Sequence, residues 1–240
     1  MRLTRTYFPA LLALVTLASA ACGGAGRITG TGPLVTDNRR LTTITEIDLQ
    51  APVDLSVVRG DVQAVNVTAQ NEIQPVLLTE VKGEKLTIRL AEKVNDMDNG
   101  TNVEVVIPAL EDLTIGSQGN VMVRDLGGNK LKVSSSGQGN VTLMNVSYEN
   151  LKLEADGQGD FNVSGRGEDI EIRVDGQGDV DAFDFPVEDA VVFNKAQGDV
   201  SVTVSKDLRV EISGQGDVRY RGEPKVDLKD DGQGELIPDN

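Results

Sequence analysis

A Gln-Gly pair followed by Asn, Asp or Glu stands at Gln118, Gln138, Gln158, Gln177, Gln197, Gln215 and Gln233, at steps of 20, 20, 19, 20, 18 and 18 residues. A period this constant means that one structural unit is repeated, and it limits the chain to folds that stack or array such units. Each pair follows a run with apolar residues on alternate positions: Leu131 and Val133 (with Ser135 breaking the pattern), Leu151, Leu153 and Ala155, Ile170, Ile172 and Val174, then Leu208, Val210 and Ile212. A second alternating run follows each pair, as in Val121 and Val123, Val141 and Leu143, Phe161 and Val163, and Val200 and Val202. Period two with polar residues between is the mark of a strand with one buried face. Each repeat therefore holds about two strands and two turns.

Two such strands cannot bury their inner faces alone. Stacking the repeats solves this: each becomes one coil of a β-solenoid, with strands paired to the coils above and below at about 4.8 Å. An antiparallel meander of hairpins would use the same alternation, but the near-constant step favours the solenoid. The expected fold is all-β, a parallel β-helix-like solenoid of 18–20-residue coils over residues 109–237. An irregular β-strand region over 33–108 precedes it and packs on or caps it. That region lacks the Gln-Gly turn yet alternates in Ile47-Asp48-Leu49, Leu86-Thr87-Ile88-Arg89-Leu90 and Val103-Glu104-Val105. The run from Glu92 to Asn102 is polar and is expected to be an exposed loop. Aromatic residues make up only 3% of the chain and Trp is absent, so the core must be built from Val, Leu and Ile, which suit strands.

The first 21 residues read as an export signal. Arg2 and Arg5 precede an apolar run, Phe8 to Ala18, that is too short to be a settled membrane span. The run ends Ser19-Ala20-Ala21-Cys22. This resembles a lipobox, where cleavage precedes a cysteine that carries diacylglycerol as a thioether, although Ser19 stands where an aliphatic residue is usual. Cys22 is the chain's one cysteine, so no intrachain disulfide is available. The expectation is lipid attachment at Cys22, a flexible Gly-containing tether over 22–32, and a protein anchored to a membrane without crossing it.

Removing residues 1–21 leaves 21 basic against 38 acidic residues, a net charge of −17. A field of that sign repels phosphate backbones, so nucleic acid is a poor partner. The chain has no His, which removes Ser-His-Asp and Cys-His catalysis and His metal sites. The acids are spread along a ridge and do not cluster with bases, and there is no Walker, Rossmann or nucleophile-elbow pattern. An enzyme is therefore not expected.

The turns admit two readings. In the structural one, Gly supplies positive φ or close backbone approach. The Gln side chains stack as an amide ladder, and the following Asp or Asn bonds its own turn. No cofactor is then needed. In the other, Asp160, Asp179, Asp199 and Asp217 form one column of like charges about 4.8 Å apart. Calcium would relieve their repulsion. The run GQGDV resembles only weakly the nonapeptide of calcium-binding β-rolls.

The whole layout resembles the putative auto-transporter adhesin, head GIN domain, a family common in bacterial envelope lipoproteins. The residues that carry the resemblance are Ser136-Gly137-Gln138-Gly139-Asn140, Asp156-Gly157-Gln158-Gly159-Asp160 and Ser213-Gly214-Gln215-Gly216-Asp217. The opening Thr29-Gly30-Thr31-Gly32 and Ile44 to Leu49, and the closing Arg219 to Val226, also match. Gln replaces the family's usual Ser in every coil. The resemblance implies a β-solenoid-like fold and an envelope location. Together these readings give a non-enzymatic, lipid-anchored envelope protein, an adhesin or surface-presented scaffold on the outer membrane, facing the periplasm or the surface. Its ligand is an envelope or surface component, and a homo-oligomer is allowed. The alternative function is a calcium-stabilised polysaccharide-binding module.

Overall fold

The alternation along each repeat closes into coils, because the inward residues of one repeat fall directly beside those of the next. The computed structural model describes residues 28–97 and 100–239, and every regular element among them is a β-strand. Leu131, Leu151, Ile170, Ala190 and Leu208 lie side by side in parallel register. So do Val133, Leu153, Ile172, Val192 and Val210. A second inward column runs Val121, Val141, Phe161, Val180, Val200 and Val218. All of these side chains are buried, so the core is a continuous apolar shaft running the length of a solenoid of about six turns. The signal segment 1–21 and Cys22 lie outside the described residues.

Each coil has three sides. In strand Val141–Ala155 the buried residues fall in three groups: Val141 and Leu143, Val146 and Tyr148, then Leu151, Leu153 and Ala155. Exposed pairs at 144–145 and 149–150 make the corners. Asn145 turns its corner at φ 53° and Asp125 turns the equivalent one at φ 59°. Both residue types tolerate the left-handed region, and the Asn145 amide donates to Asp125 Oδ1 at 2.7 Å. The middle side is filled by large residues in some coils and left bare in others. Tyr148 pairs with Gly128 on one side and Gly167 on the other. A Cβ on Gly167 would sit 2.7 Å from the Phe185 ring. The buried Tyr148 hydroxyl donates to the Leu110 carbonyl at 3.0 Å. Burial raises its pKa well above the usual phenol value.

The parallel columns continue across residue 108. Glu46–Leu49 pairs with Asp112–Ile115, and Asp54–Arg59 contributes Leu55 and Val57 beside Val121 and Val123. Lys85–Leu90 and Asn102–Ile107 add one more parallel layer outside these. Antiparallel strands then close this end. Leu77–Lys82 lies on Lys85–Leu90, Ala64–Gln70 on Asn102–Ile107, and Leu34–Arg40 on Ala64–Gln70. The Arg39 guanidinium ties the two closing edges together. It donates to the Leu77 carbonyl at 2.7 Å and to Gln74 Oε1 at 3.1 Å. Leu34–Arg40 and Leu77–Lys82 each pair with one strand, so the closure covers the ends of the parallel columns and leaves two short antiparallel edges outermost.

Two short stretches differ from expectation. Ile28–Thr29, read as tether, pairs with Val94–Asp96 from the polar run read as loop. Ile28, Val94 and Met97 all pack on the core, so apolar residues scattered in polar sequence hold both segments down.

Candidate functional site

The Gln-Gly turns of six successive coils line up into one groove of about 940 Å³ along the rod. One wall is the column Gln138, Gln158, Gln177, Gln197, Gln215 and Gln233, and the other is Ser136, Asp156, Asp175, Lys195, Ser213 and Asp231. The floor between them is backbone: a Cβ on Gly157 would overlap the Gly137 carbonyl oxygen of the coil before. Glycine is required here by close approach of coils and not by positive φ, which none of the Gln-flanking glycines adopts. The floor's backbone is itself consumed, since the Gln158 and Gln177 amide N–H groups donate to the Gly137 and Gly157 carbonyls.

The seven Gln side chains, Gln118 included, are exposed. Among the described residues none of them hydrogen-bonds to the protein, so they stack in register without forming the amide ladder that their spacing suggests. The side-chain ladder is carried two residues further on. Oδ1 of Asp54 accepts from the Asn120 N–H at 2.8 Å, and Oδ1 of Asn120 from Asn140 at 3.1 Å. The series continues through Asn140 to Asp160, Asp160 to Asp179, and Asp179 to Asp199. It ends with Asp199 to Asp217 and Asp217 to Glu235. Each acid thus satisfies the next coil's backbone, where its own turn was expected to be the partner. Among the described residues the turn leaves these N–H groups no backbone acceptor, and the preceding coil's Asp or Asn oxygen accepts them.

This geometry also bears on the calcium column. One oxygen of each of Asp160, Asp179, Asp199 and Asp217 is committed to an amide. Among the described residues no three acidic side chains form a group that could hold a metal. Asp156, in the groove wall, has its pKa raised by desolvation first, then by the charges of Asp175 and Glu154.

Outside the groove, the strand sides carry a charge network. Lys132 and Lys152 both reach Glu154, at 2.8 and 3.3 Å, and Lys152 also reaches Glu171 at 3.1 Å. Arg173 pairs with Glu171 and lies 4.3 Å above the Phe193 ring centre. Desolvation alone would raise the Glu154 pKa, but hydrogen bonds from Lys132, Ser134 and Lys152 outweigh it and bring it down to about 2.

Among the buried polar residues that the sequence pattern does not single out, Asn194 bonds to the groove floor at Ala196. Asn194 is fully buried in the column of Ala155, Val174 and Ile212. Its amide donates to the Gly198 and Gly216 carbonyls at 2.9 and 3.1 Å, and its oxygen accepts from the Ala196 N–H at 3.1 Å. The signal was available: Asn194 occupies the inward place three before Gln197, where neighbouring repeats carry apolar residues.

Several solved structures share this architecture. A putative adhesin from Bacteroides fragilis NCTC 9343 superposes at a TM-score of 0.85 with 18% identity, over 88% of this chain and 100% of that one. A putative lipid binding protein from Parabacteroides distasonis ATCC 8503 gives 0.73 with 20% identity, over 90% and 100%. A putative adhesin from Parabacteroides merdae ATCC 43184 gives 0.68 with 19% identity, over 90% and 100%. No curated protein matches the chain. Residues 43–224, from the first coil to the last Gln-Gly-Asp turn, match one family throughout, and the chain belongs to it: "Putative auto-transporter adhesin, head GIN domain".

Proposed function

We propose that the protein is a lipid-anchored component of the bacterial envelope that binds a surface or envelope ligand along its turn groove and performs no catalysis. The observation that carries this reading is the groove itself, where the same side-chain types recur coil after coil at a constant step. Catalysis needs unlike groups converging on one point, whereas a repeated wall suits a ligand contacted many times weakly. Membership of an adhesin family and likeness to structures described as adhesins support an envelope or surface location. The polar walls favour a hydrophilic ligand over an acyl chain. The anchor is Cys22, and the segment before it is removed on export.

Two measurements test this together. Wild type and Cys22→Ser are expressed and fractionated: the wild type should stay with membranes, and the variant should be released or remain an uncleaved precursor. A processed Cys22→Ser chain that still partitions with membranes overturns the anchor. The purified protein is then incubated with outer-membrane and cell-wall fractions. Retention on one of them that saturates with added protein supports a binding role, and no retention on either overturns it.

A further inference from the structure

We infer that the groove takes a linear, uncharged polysaccharide lying along the rod, with one sugar unit facing each coil. This rests on the binding role proposed above and names the ligand class of the same site.

Three observations lead there. First, the fold leaves the Gln amides unused. The six that line the groove make no hydrogen bond to the protein among the described residues. Each carries donors and an acceptor, so a column of them offers both senses of hydrogen bond at every step. A hydroxyl group is likewise donor and acceptor at once, and a polysaccharide presents hydroxyls on each residue. Second, the step is set by coil stacking at about 4.8 Å. A pyranose in an extended chain advances by a similar distance, so one sugar can meet one coil repeatedly. An extended peptide advances only about 3.3 Å per residue and would lose register within a few coils. Third, the opposite wall carries Asp156, Asp175 and Asp231 against a single Lys195. That balance, on a chain of net charge −15, repels anionic polymers. The floor of five glycines and Ala196 has no aromatic platform, so recognition would come from hydrogen bonds at each coil, individually weak and summed along the chain.

The test uses the full chain purified in detergent. The probes are cello-oligosaccharides of increasing length, alginate as an anionic glycan, and an extended peptide of equal length. Affinity for the neutral series should rise with length until the oligomer spans the six coils, while alginate and the peptide bind more weakly at every length. The double variant Gln158→Ala, Gln177→Ala should bind the long oligosaccharide roughly tenfold more weakly. Its melting temperature should be unchanged, because those side chains serve no bond in the fold. Met122→Ala, on another side of the coil, should bind as the wild type does. The inference is overturned if neutral oligosaccharides are not retained, if the double variant binds them equally, or if alginate or the peptide is preferred. In those cases, saturable retention on envelope fractions would leave the binding role standing with a different ligand. Loss of that retention as well would remove both.

Discussion

The backbone amide of Asp199 donates to Oδ1 of Asp179 at 2.8 Å, one rung of a ladder in which each coil's acid closes the next coil. Asn120 and Asn140 do the same work without charge. The bond therefore needs an oxygen, not a carboxylate. Asp179→Asn should keep it and remove a like-charge neighbour, leaving stability unchanged or slightly higher. Asp179→Ala should strand the Asp199 N–H and cost about 1–2 kcal/mol. Millimolar calcium should shift the melting temperature of none of the three by more than a degree or so, since one oxygen of each acid is already bonded and no three acidic side chains among the described residues form a group that could hold the ion. Thermal melts with calcium and with chelator decide it. A rise of many degrees in the wild type, reduced in Asp179→Asn, would restore the metal-binding reading of the column.

The strand phase is tested by neighbouring positions. Ile172 is fully buried, between Leu153 and Val192. Ile172→Asp would bury an unpaired charge and should prevent folding or cost more than about 4 kcal/mol. Lys152 points outward one place from Leu151 and Leu153 and is 38% exposed. Lys152→Ala should cost about 0.5–1 kcal/mol through its two carboxylate partners. Urea unfolding curves measure both. Equal losses would mean that the inward and outward columns have been exchanged.

Much of this was legible in the sequence because period two along a strand and a constant step between strands are both one-dimensional signals. That pattern puts Leu151, Ile170, Ile172, Val210 and Ile212 inside, and all are buried. The middle side of the coil was not legible. Its filling alternates between coils, Tyr148 beside Gly128 and Gly167, with Phe185 against Gly167, so no single repeat shows a pattern along its own strand. The N-terminal coil was hidden for another reason. Pro52 and Val53 stand where later coils have Gln and Gly, and only Asp54, bonded to the Asn120 amide, keeps the motif's last residue. The acid ladder could be counted but not aimed, because spacing gives the column and not which backbone group it reaches.

Glu154 gives the chain a defined sensitivity to acid. Its pKa lies at about 2, below the ordinary value of 4.5. A carboxylate depressed by folding stabilises the folded state fully above its unfolded pKa and loses that contribution as pH falls through its folded one. Glu171 shifts in the same direction, and Asp156, raised, in the opposite one. The melting temperature should therefore fall between about pH 4.5 and pH 2. Glu154→Gln should be less stable at neutral pH and show a shallower fall across that window. A parallel decline in the two proteins would mean that the Lys132–Glu154–Lys152 contacts do not couple to folding.

Asn194 opposes two expectations about a buried column. Its neighbours Val174 and Ile212 are apolar, so area burial alone would favour Asn194→Val, adding roughly 1–2 kcal/mol of hydrophobic stabilisation. Against this, the amide serves three backbone groups in the one turn whose floor is Ala196 where the other groove-lining coils have Gly. Valine would leave the Gly198 and Gly216 carbonyls and the Ala196 N–H buried without a partner, at about 1–3 kcal/mol each. The losses exceed the gain, so Asn194→Val should destabilise the protein by about 2–5 kcal/mol. Asn194→Asp should be worse, since it keeps the acceptor but replaces the donor with a buried charge facing two carbonyls. Hydrogen exchange gives a local readout. In Asn194→Val the Ala196 amide should lose protection well before those of Val192 and Val210. Equal or greater stability of Asn194→Val would show that burial outweighs the turn's hydrogen bonds, and that Asn194 serves something other than folding.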